Sequence, residues 1–500
     1  MRLASKSTAL LLACVFVATA ADEPKDDDAR LMKKFIDAYR IMQQNAADPF
    51  ELDQAFYDGA IPGMLRHLDP HTVFFDPTQF EQLKQMESST QKGFGSVVSV
   101  LPGRVVVLQA LPGTPSERAG MSPGDEILAV NNYRLDRLDA DQIVQLLNQS
   151  KQKEAHLVVR RPGNVRLQEL TLTPATMKSN SVERVFELRP GIGYIRVASF
   201  EEATGRQIHD GIEKLGGRNL KGLVLDLRNN PGGLMSAALQ TASFFLKPGQ
   251  VILSAKGRNV PETVEKVPDD NRPYEFPVAV LVNAKTASAS EIVSGALQDH
   301  DRATIVGEPS FGKGLVQSVY PLSENTGLAL TTALYYIPSG RSIQKTFSSQ
   351  RAFGAEEFAL DATAKHPNER TDFKTDSGRP VPGGGGIVPD VEAPEPLLSP
   401  LKAVLEQSGA FTTFAADFIR GKTITPEWNV TGQVLDQFQT WLSERQIQPS
   451  LREWIDTRSF IEWRLKTEVF NLALGVEKGD EVEAQGDEQI QKALEAVLKK

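Results

Sequence analysis

The sequence predicts a multidomain α/β protein, and three observations carry that expectation. A chain of 500 residues at roughly 150 per domain argues for about three domains, and 40% apolar residues are enough to build real cores. Strand-like and helix-like runs alternate between residues 176 and 345, the pattern of an α/β core. Short strand-like runs separated by Gly and Pro fill residues 92–173, and helical periodicity marks both flanks.

The first twenty residues carry Arg2 and Lys6, then an apolar stretch from Thr8 to Val17, then Ala18-Thr19-Ala20. This is the order of a secretory leader cleaved after Ala20, and its apolar stretch is too short for a membrane helix. Cys14, the single cysteine, falls inside the leader, so the mature chain would hold no thiol or disulfide. An exported, periplasmic protein is expected. A lipoprotein box at Leu11-Leu12-Ala13-Cys14 is the less favoured reading, because Val15-Phe16-Val17 continue the apolar run where a polar tether is usual. The net charge of −9 is spread without a basic patch, which gives no sign of a nucleic-acid partner.

Residues 21–88 read as a helical N-terminal arm, with Leu31, Phe35, Tyr39 and Met42 on one stripe. Residues 89–175 read as a β-rich domain with strands near 97–101, 105–110, 127–130 and 157–159 and a helix near 139–148. Residues 176–395 form the α/β core. Within it, residues 346–386 are polar and end in Pro380-Val381-Pro382-Gly383-Gly384-Gly385-Gly386, read as an inserted mobile loop. Residues 396–500 read as a separate helical module. Trp428, Trp441, Trp454 and Trp463 all lie there, which suits core packing better than a ligand site.

The chemistry centres on Thr286-Ala287-Ser288-Ala289-Ser290-Glu291, which opens an apolar helix-like run, and on Phe311-Gly312-Lys313-Gly314 further on. A weak hydroxyl becomes a nucleophile beside a neutral amine, and a lysine in a Gly-flanked, apolar setting suits that base. Ser and Thr before an apolar run are also common helix caps, and a lone lysine is usually a solvated charge, so spacing alone favours that plainer reading. A third element, the strand-like Gly222-Leu223-Val224-Leu225-Asp226-Leu227, runs into Arg228-Asn229-Asn230-Pro231-Gly232-Gly233, where a Gly pair can aim N–H groups at a reacting oxygen.

Together these three elements resemble the carboxy-terminal processing protease (tail-specific protease) family, which pairs a PDZ domain with a serine–lysine peptidase core. The likeness extends to Leu68-Asp69-Pro70-His71-Thr72, Gly193-Tyr194-Ile195-Arg196-Val197 and Tyr335-Tyr336-Ile337-Pro338-Ser339-Gly340-Arg341-Ser342-Ile343-Gln344, and covers most of residues 31–395. It implies a crotonase/ClpP-like core, with Ser288 as nucleophile, Lys313 as base and Gln317 as the amide that orients the lysine. Ala289 with Gly232 or Gly233 would form the oxyanion hole. Thr286 stands where relatives usually have Ser, which leaves the assignment of Ser288 intact.

The run Pro115-Ser116-Glu117-Arg118-Ala119-Gly120 through Gly124-Asp125-Glu126-Ile127 resembles a bacterial PDZ domain. Gly93-Phe94-Gly95 would then be the carboxylate loop, and Ser96 and Val97 would begin the edge that takes an added peptide strand. The partners expected are protein or peptide substrates with free apolar C-termini. An adaptor protein and pairing of protomers through the terminal helices are left open. After the PDZ helix many relatives have Leu-Arg-Gly, whereas this chain has Leu147-Asn148-Gln149, and Asn148 cannot make an arginine's ion pair.

Three rivals fare worse. A histidine triad through His300 meets a distance problem, since twelve helical residues at about 1.5 Å each put it roughly 18 Å from Ser288. Metal chemistry lacks a ligand motif among six scattered histidines, and no metal or cofactor is expected. A PDZ scaffold or chaperone on an inactive peptidase fold is the alternative function, opposed by the occupation of every proposed catalytic position.

Overall fold

The computed structural model describes residues 26–48, 51, 53, 55–164, 166–345 and 372–499. Residues 1–25, which hold Cys14 and the expected leader, and most of the polar insert lie outside the described residues. The core is a six-stranded sheet in the order Val182–Arg189, Ile192–Val197, Gly222–Asp226, Val278–Val282, Ala303–Gly307, Val391–Glu392. The first pair is antiparallel and every later pair parallel. Parallel strands covered on both faces need apolar residues at every position, and Gly222–Asp226 and Val278–Val282 are buried throughout.

The period of two then sorts side chains between layers. Leu223 and Leu225 pack with helices Thr204–Lys214, Met235–Ser243 and Ala289–Asp299, while Val224 packs the other way with Ile490, Ala493, Leu494 and Val497. Helix Glu488–Leu498 therefore covers the second face of the core sheet. It lies so close that a Cβ on Gly222 would come within 2.1 Å of Val497. The chain's last stretch is thus partly core, a contact that helical periodicity has no means of revealing.

A second, antiparallel sheet joins the arm to the core. Strand Val73–Phe75 pairs with Gly327–Tyr336, which also pairs with Val251–Lys256 and Leu315–Pro321. Helix Asp26–Asn45 carries Leu31, Phe35 and Met42 on exposed positions, and Phe35 meets Phe56 edge-on at 6.0 Å between ring centroids.

The PDZ sheet runs Ser96–Leu101, Arg104–Ala110, Glu126–Val130, Ala155–Arg160, Gln168–Leu172. Ser96–Leu101 is its terminal strand, bonded among the described residues to Arg104–Ala110 on one side only. Helix Ala140–Ser150 opens with a capping box between Asp139 and Gln142, as that Asp-x-x-Gln spacing dictates. C-terminal helices Pro400–Gln407, Ala410–Phe418, Gly432–Glu444 and Leu451–Ala473 share an aromatic core in which Trp428, Trp441 and Trp454 take part. They also grip the PDZ domain: Arg104 donates to Thr413 Oγ1 at 2.6 Å.

The end of the polar insert is ordered. Phe373–Lys374 and Pro380–Val381 form a hairpin, Asp376 pairs with His300, and Arg379 pairs with Asp301 and Asp390. The polarity that suggested a mobile loop here is spent on ion pairs.

Candidate active site

Three adjacent parallel strands deliver the candidate groups from their C-terminal ends, where open α/β sheets gather ligands. Gly222–Asp226 leads to Gly232 and Gly233, Val278–Val282 to Ser288, and Ala303–Gly307 to Lys313. Asn230 stitches the first two loops together. Its Nδ2 donates to Val197 O at 2.9 Å, and its own carbonyl accepts from Ala287 N at 3.0 Å and Ser290 Oγ at 3.1 Å. Thr286, the departure from the usual serine, keeps a working hydroxyl, donating to Leu227 O at 2.8 Å.

Ser288 stands at φ 54°, ψ −115°, a conformation that L residues avoid, directly before helix Ala289–Asp299. Glu291, three residues on, holds it there. Glu291 Oε2 accepts from Ser288 N at 2.8 Å and from Lys313 N at 2.9 Å, so the two backbones are gathered onto one oxygen. Its Oε1 accepts from Gly312 N at 2.7 Å and Ser310 Oγ at 2.5 Å. Burial pushes the Glu291 carboxyl up, and these four donors work against that by favouring the carboxylate. Glu291 stands in the sequence motif with no role assigned to it there. The signal was its spacing: a Glu three residues after a Ser at a helix start marks a capping box.

The Lys313 amine donates to Gln317 Oε1 at 2.8 Å. Burial lowers its pKa, partly offset by the charges of Asp69 and Glu291. Gln317 sits at a bulge, where the pairing shifts between Val316 opposite Ala333 and Gln317 opposite Thr331. Bulges re-aim a side chain, and here the Gln317 Nε2 reaches His71 O at 2.5 Å. His71 was also quoted in the sequence without a role.

Of the glycine pair, Gly232 donates its N–H to Asn230 Oδ1 at 2.9 Å, and its carbonyl accepts from Phe200 N at 2.8 Å. Among the described residues, the N–H groups of Gly233 and Ala289 have no acceptor in the chain. Gly232 lies against the serine: a Cβ added there would be 2.8 Å from Ser288 Cβ and 2.9 Å from Ala289 N. Behind this loop Asp226 is fully buried, bonded by Tyr194 Oη at 2.7 Å and by Arg228, whose Nη1 continues to Gln489 Oε1 at 2.7 Å.

His300 caps the far end of helix Ala289–Asp299, its ring between Asp376 and Val251 O. The peptide-binding candidates lie on a different sheet. Gly93 is paired with Ala175, Phe94 packs on the PDZ core, and Gly95, at φ 76°, turns the chain into the terminal strand. Ser96 and Val97 pair with Ala110 and Gln109.

A six-stranded core with these loops and an attached PDZ sheet defines a peptidase architecture, and the comparisons with known proteins agree. Residues 191–349 match the model of peptidase family S41, and residues 106–161 match a PDZ domain. The chain is 37% identical over 302 residues to the carboxy-terminal-processing protease of Bartonella bacilliformis, covering 58% of this chain and 68% of that protein. It is 34% identical over 292 residues to the carboxyl-terminal-processing protease of Synechocystis sp., covering 57% and 68%. It is 32% identical over 317 residues to the carboxy-terminal processing protease CtpA of Bacillus subtilis, covering 62% and 67%. The chain belongs to the carboxy-terminal processing protease family of S41 peptidases, and its substrates are proteins or peptides.

Proposed function

We propose that this protein is an exported serine endopeptidase that captures free apolar C-termini in its PDZ groove and cleaves through a Ser288–Lys313 dyad. One observation carries the reading: a single carboxylate oxygen of Glu291 binds the backbone N–H groups of both residues, while the half-buried Lys313 amine is held by Gln317. In the first step neutral Lys313 takes the Ser288 Oγ proton as that oxygen attacks the scissile carbonyl. The oxyanion receives the N–H groups of Gly233 and Ala289, helped by the N-terminal end of the helix behind Ser288. Gly232 leaves room for it by having no Cβ. Lys313 passes its proton to the leaving amine, then deprotonates the water that hydrolyses the acyl-enzyme.

The PDZ half of the proposal rests on the unpaired side of Ser96–Leu101, where a peptide can add as a strand with its carboxylate at the Phe94-Gly95 turn. Export to the periplasm is part of the proposal on the strength of the leader-like pattern in residues 1–20.

The test is mass spectrometry after labelling with a serine-reactive phosphonate. A single adduct on the peptide holding Ser288, absent in Ser288→Ala and Lys313→Ala, supports the dyad. An adduct elsewhere, or full labelling of Lys313→Ala, refutes it, and no adduct at all favours a PDZ scaffold on an inactive fold.

A further inference from the structure

Asp69 lies on the segment entering strand Val73–Phe75, far in sequence from Ser288 and Lys313. Its carboxylate closes a tight turn. Oδ1 accepts from His71 N at 2.7 Å and Thr72 N at 2.8 Å, and Oδ2 accepts from Thr72 Oγ1 at 2.7 Å. The turn is pinned to the core, because Thr72 Oγ1 accepts from Thr331 N at 3.2 Å, and Thr331 is the residue opposite Gln317. This arrangement points the His71 carbonyl at Gln317.

A carbonyl can only accept, so it decides which end of the Gln317 amide it takes. With Nε2 on His71 O, Oε1 is left for the Lys313 amine. A flipped amide would set donor against donor at the ammonium, and would tie up the lone pair of the neutral amine that has to take the serine proton. Resting on the dyad reading above, we propose that Asp69 is a positioning residue for the base. It acts through the His71 carbonyl and the Gln317 amide to hold the Lys313 amine in place. The N-terminal segment is then part of the active site rather than a brace outside it. Asp69 also contributes charge. Asp69 and Glu291 are the acidic groups facing Lys313, the His71 ring faces it too, and burial opposes the charged amine. Burial of Asp69 works against its own ionised form, but the bonds from Thr72 and His71 outweigh it and hold the carboxyl below its usual value.

The experiment follows phosphonate acylation and peptide turnover against pH in the full-length enzyme. The variants are Asp69→Ala, Asp69→Asn, Gln317→Ala and the Asp69→Ala/Gln317→Ala pair. Asp69→Ala should slow acylation and kcat on the order of 10- to 100-fold with KM little changed. In the Gln317→Ala background the same change should cost less than about threefold, because the group it acts through is gone. Asp69→Asn keeps an acceptor for the turn and removes the charge. It should recover most of the rate and move the acid limb of the pH profile downward, since an ammonium with fewer anions beside it loses its proton more easily. Losses that multiply in the double variant, or an acid limb unmoved in Asp69→Asn, would overturn the proposal. Should Asp69→Ala not fold, Thr72→Val takes its place in the same cycle with Gln317→Ala, since it removes the hydroxyl that ties the Asp69 turn to Thr331. Lys313→Ala separates the two ideas: if it still acylates, the dyad itself fails. If it is dead while the Asp69 and Gln317 losses multiply, only the positioning role fails.

Discussion

The Tyr335 hydroxyl is a clamp on the backbone of Lys313: Oη lies 2.8 Å from the Lys313 carbonyl oxygen and 3.2 Å from that of Ser288. The ring is buried, and burial together with the nearby Glu291 charge pushes the phenol well up, so the hydroxyl keeps its proton and donates it. Tyr335→Phe would leave a buried carbonyl without a donor, at a cost of about 1–3 kcal/mol. The expected result is a lower melting temperature and a reduced kcat, with peptide affinity unchanged. A variant with wild-type melting and wild-type kcat would show that the clamp is idle.

The proposed dyad takes its pH behaviour from Lys313. Its folded pKa is depressed, so the rate should climb with pH through that depressed value and level off above it. The stability sign follows. A depressed folded pKa contributes stability that is present above the unfolded pKa and lost as pH falls through the folded one. Lys313→Met should therefore melt higher than wild type at acidic and neutral pH, with the gap closing as the solution becomes strongly alkaline. Thermal melts across pH check this, and a gap that widened with pH would contradict it.

The two glycines should fail differently. At φ 100°, Gly232→Ala would be strained and would push a methyl against Ser288 and Ala289 N, costing on the order of 100-fold in kcat. Gly233→Ala would drive its Cβ to 2.1 Å from the Phe200 carbonyl and break the bridge between those residues, so loss of the fold is expected. Circular dichroism and single-turnover rates distinguish the two. A folded, fully active Gly232→Ala would remove the glycine pair from the site.

Tail capture predicts that substrates with a free apolar C-terminus are cleaved faster than the same peptides amidated there. At Gly95, φ 76°, an added Cβ would meet Thr114 at 2.3 Å, so Gly95→Ala should raise KM for tailed substrates and spare a reporter without a tail. Asn148 accepts from Lys151 Nζ on its own helix at 2.9 Å, a local bond that leaves no arginine-like reach. A free-carboxylate peptide added in trans should accordingly stimulate wild type weakly and Asn148→Arg more. Equal stimulation of the two would mean that other residues carry the coupling.

Asp480 joins the C-terminal helices to the core by pairing with Arg184 at 3.0 Å, yet burial raises its pKa from about 3.8 to about 6, despite the opposing charge of Arg184. A raised folded value stabilises fully below the unfolded pKa and loses that contribution as pH rises through about 6. Asp480→Asn should therefore raise the melting temperature above pH 6 by about 2 °C or more, and change little near pH 3. Arg184 keeps Glu483 as a partner at 2.7 Å, so the variant does not strand it. A melting temperature that fell in neutral buffer would reverse the sign assigned to this group.

Much of the layout was legible because its signals are local. The alternating runs of the core, the helix near 139–148 and the glycine pair are each signalled within a few residues of themselves. Ser288, Lys313 and Gln317 come from a family likeness rather than from spacing, which alone favours a helix cap and a solvated lysine. Glu291 was legible in principle, three residues from Ser288, but its second half is the loop at Ser310 to Lys313, which no periodicity announces. The Gln317 bond to His71 spans 246 residues and depends on a bulge, and the Arg228 bond to Gln489 spans 261. Both are tertiary facts. The helical pattern near residue 489 predicted a helix correctly but could not say which sheet would receive it.

That last helix has a consequence for biogenesis. Synthesis proceeds from the N-terminus, so every strand of the core sheet and every loop of the site leaves the ribosome before the segment that covers Tyr194, Val224 and Leu281 exists. Until residues 487–498 arrive, one apolar face of the sheet stays wet and Arg228 lacks Gln489 and Asp487 behind the Gly232-Gly233 loop. A nascent chain that has not yet reached residue 488 therefore exposes an apolar sheet face that invites aggregation.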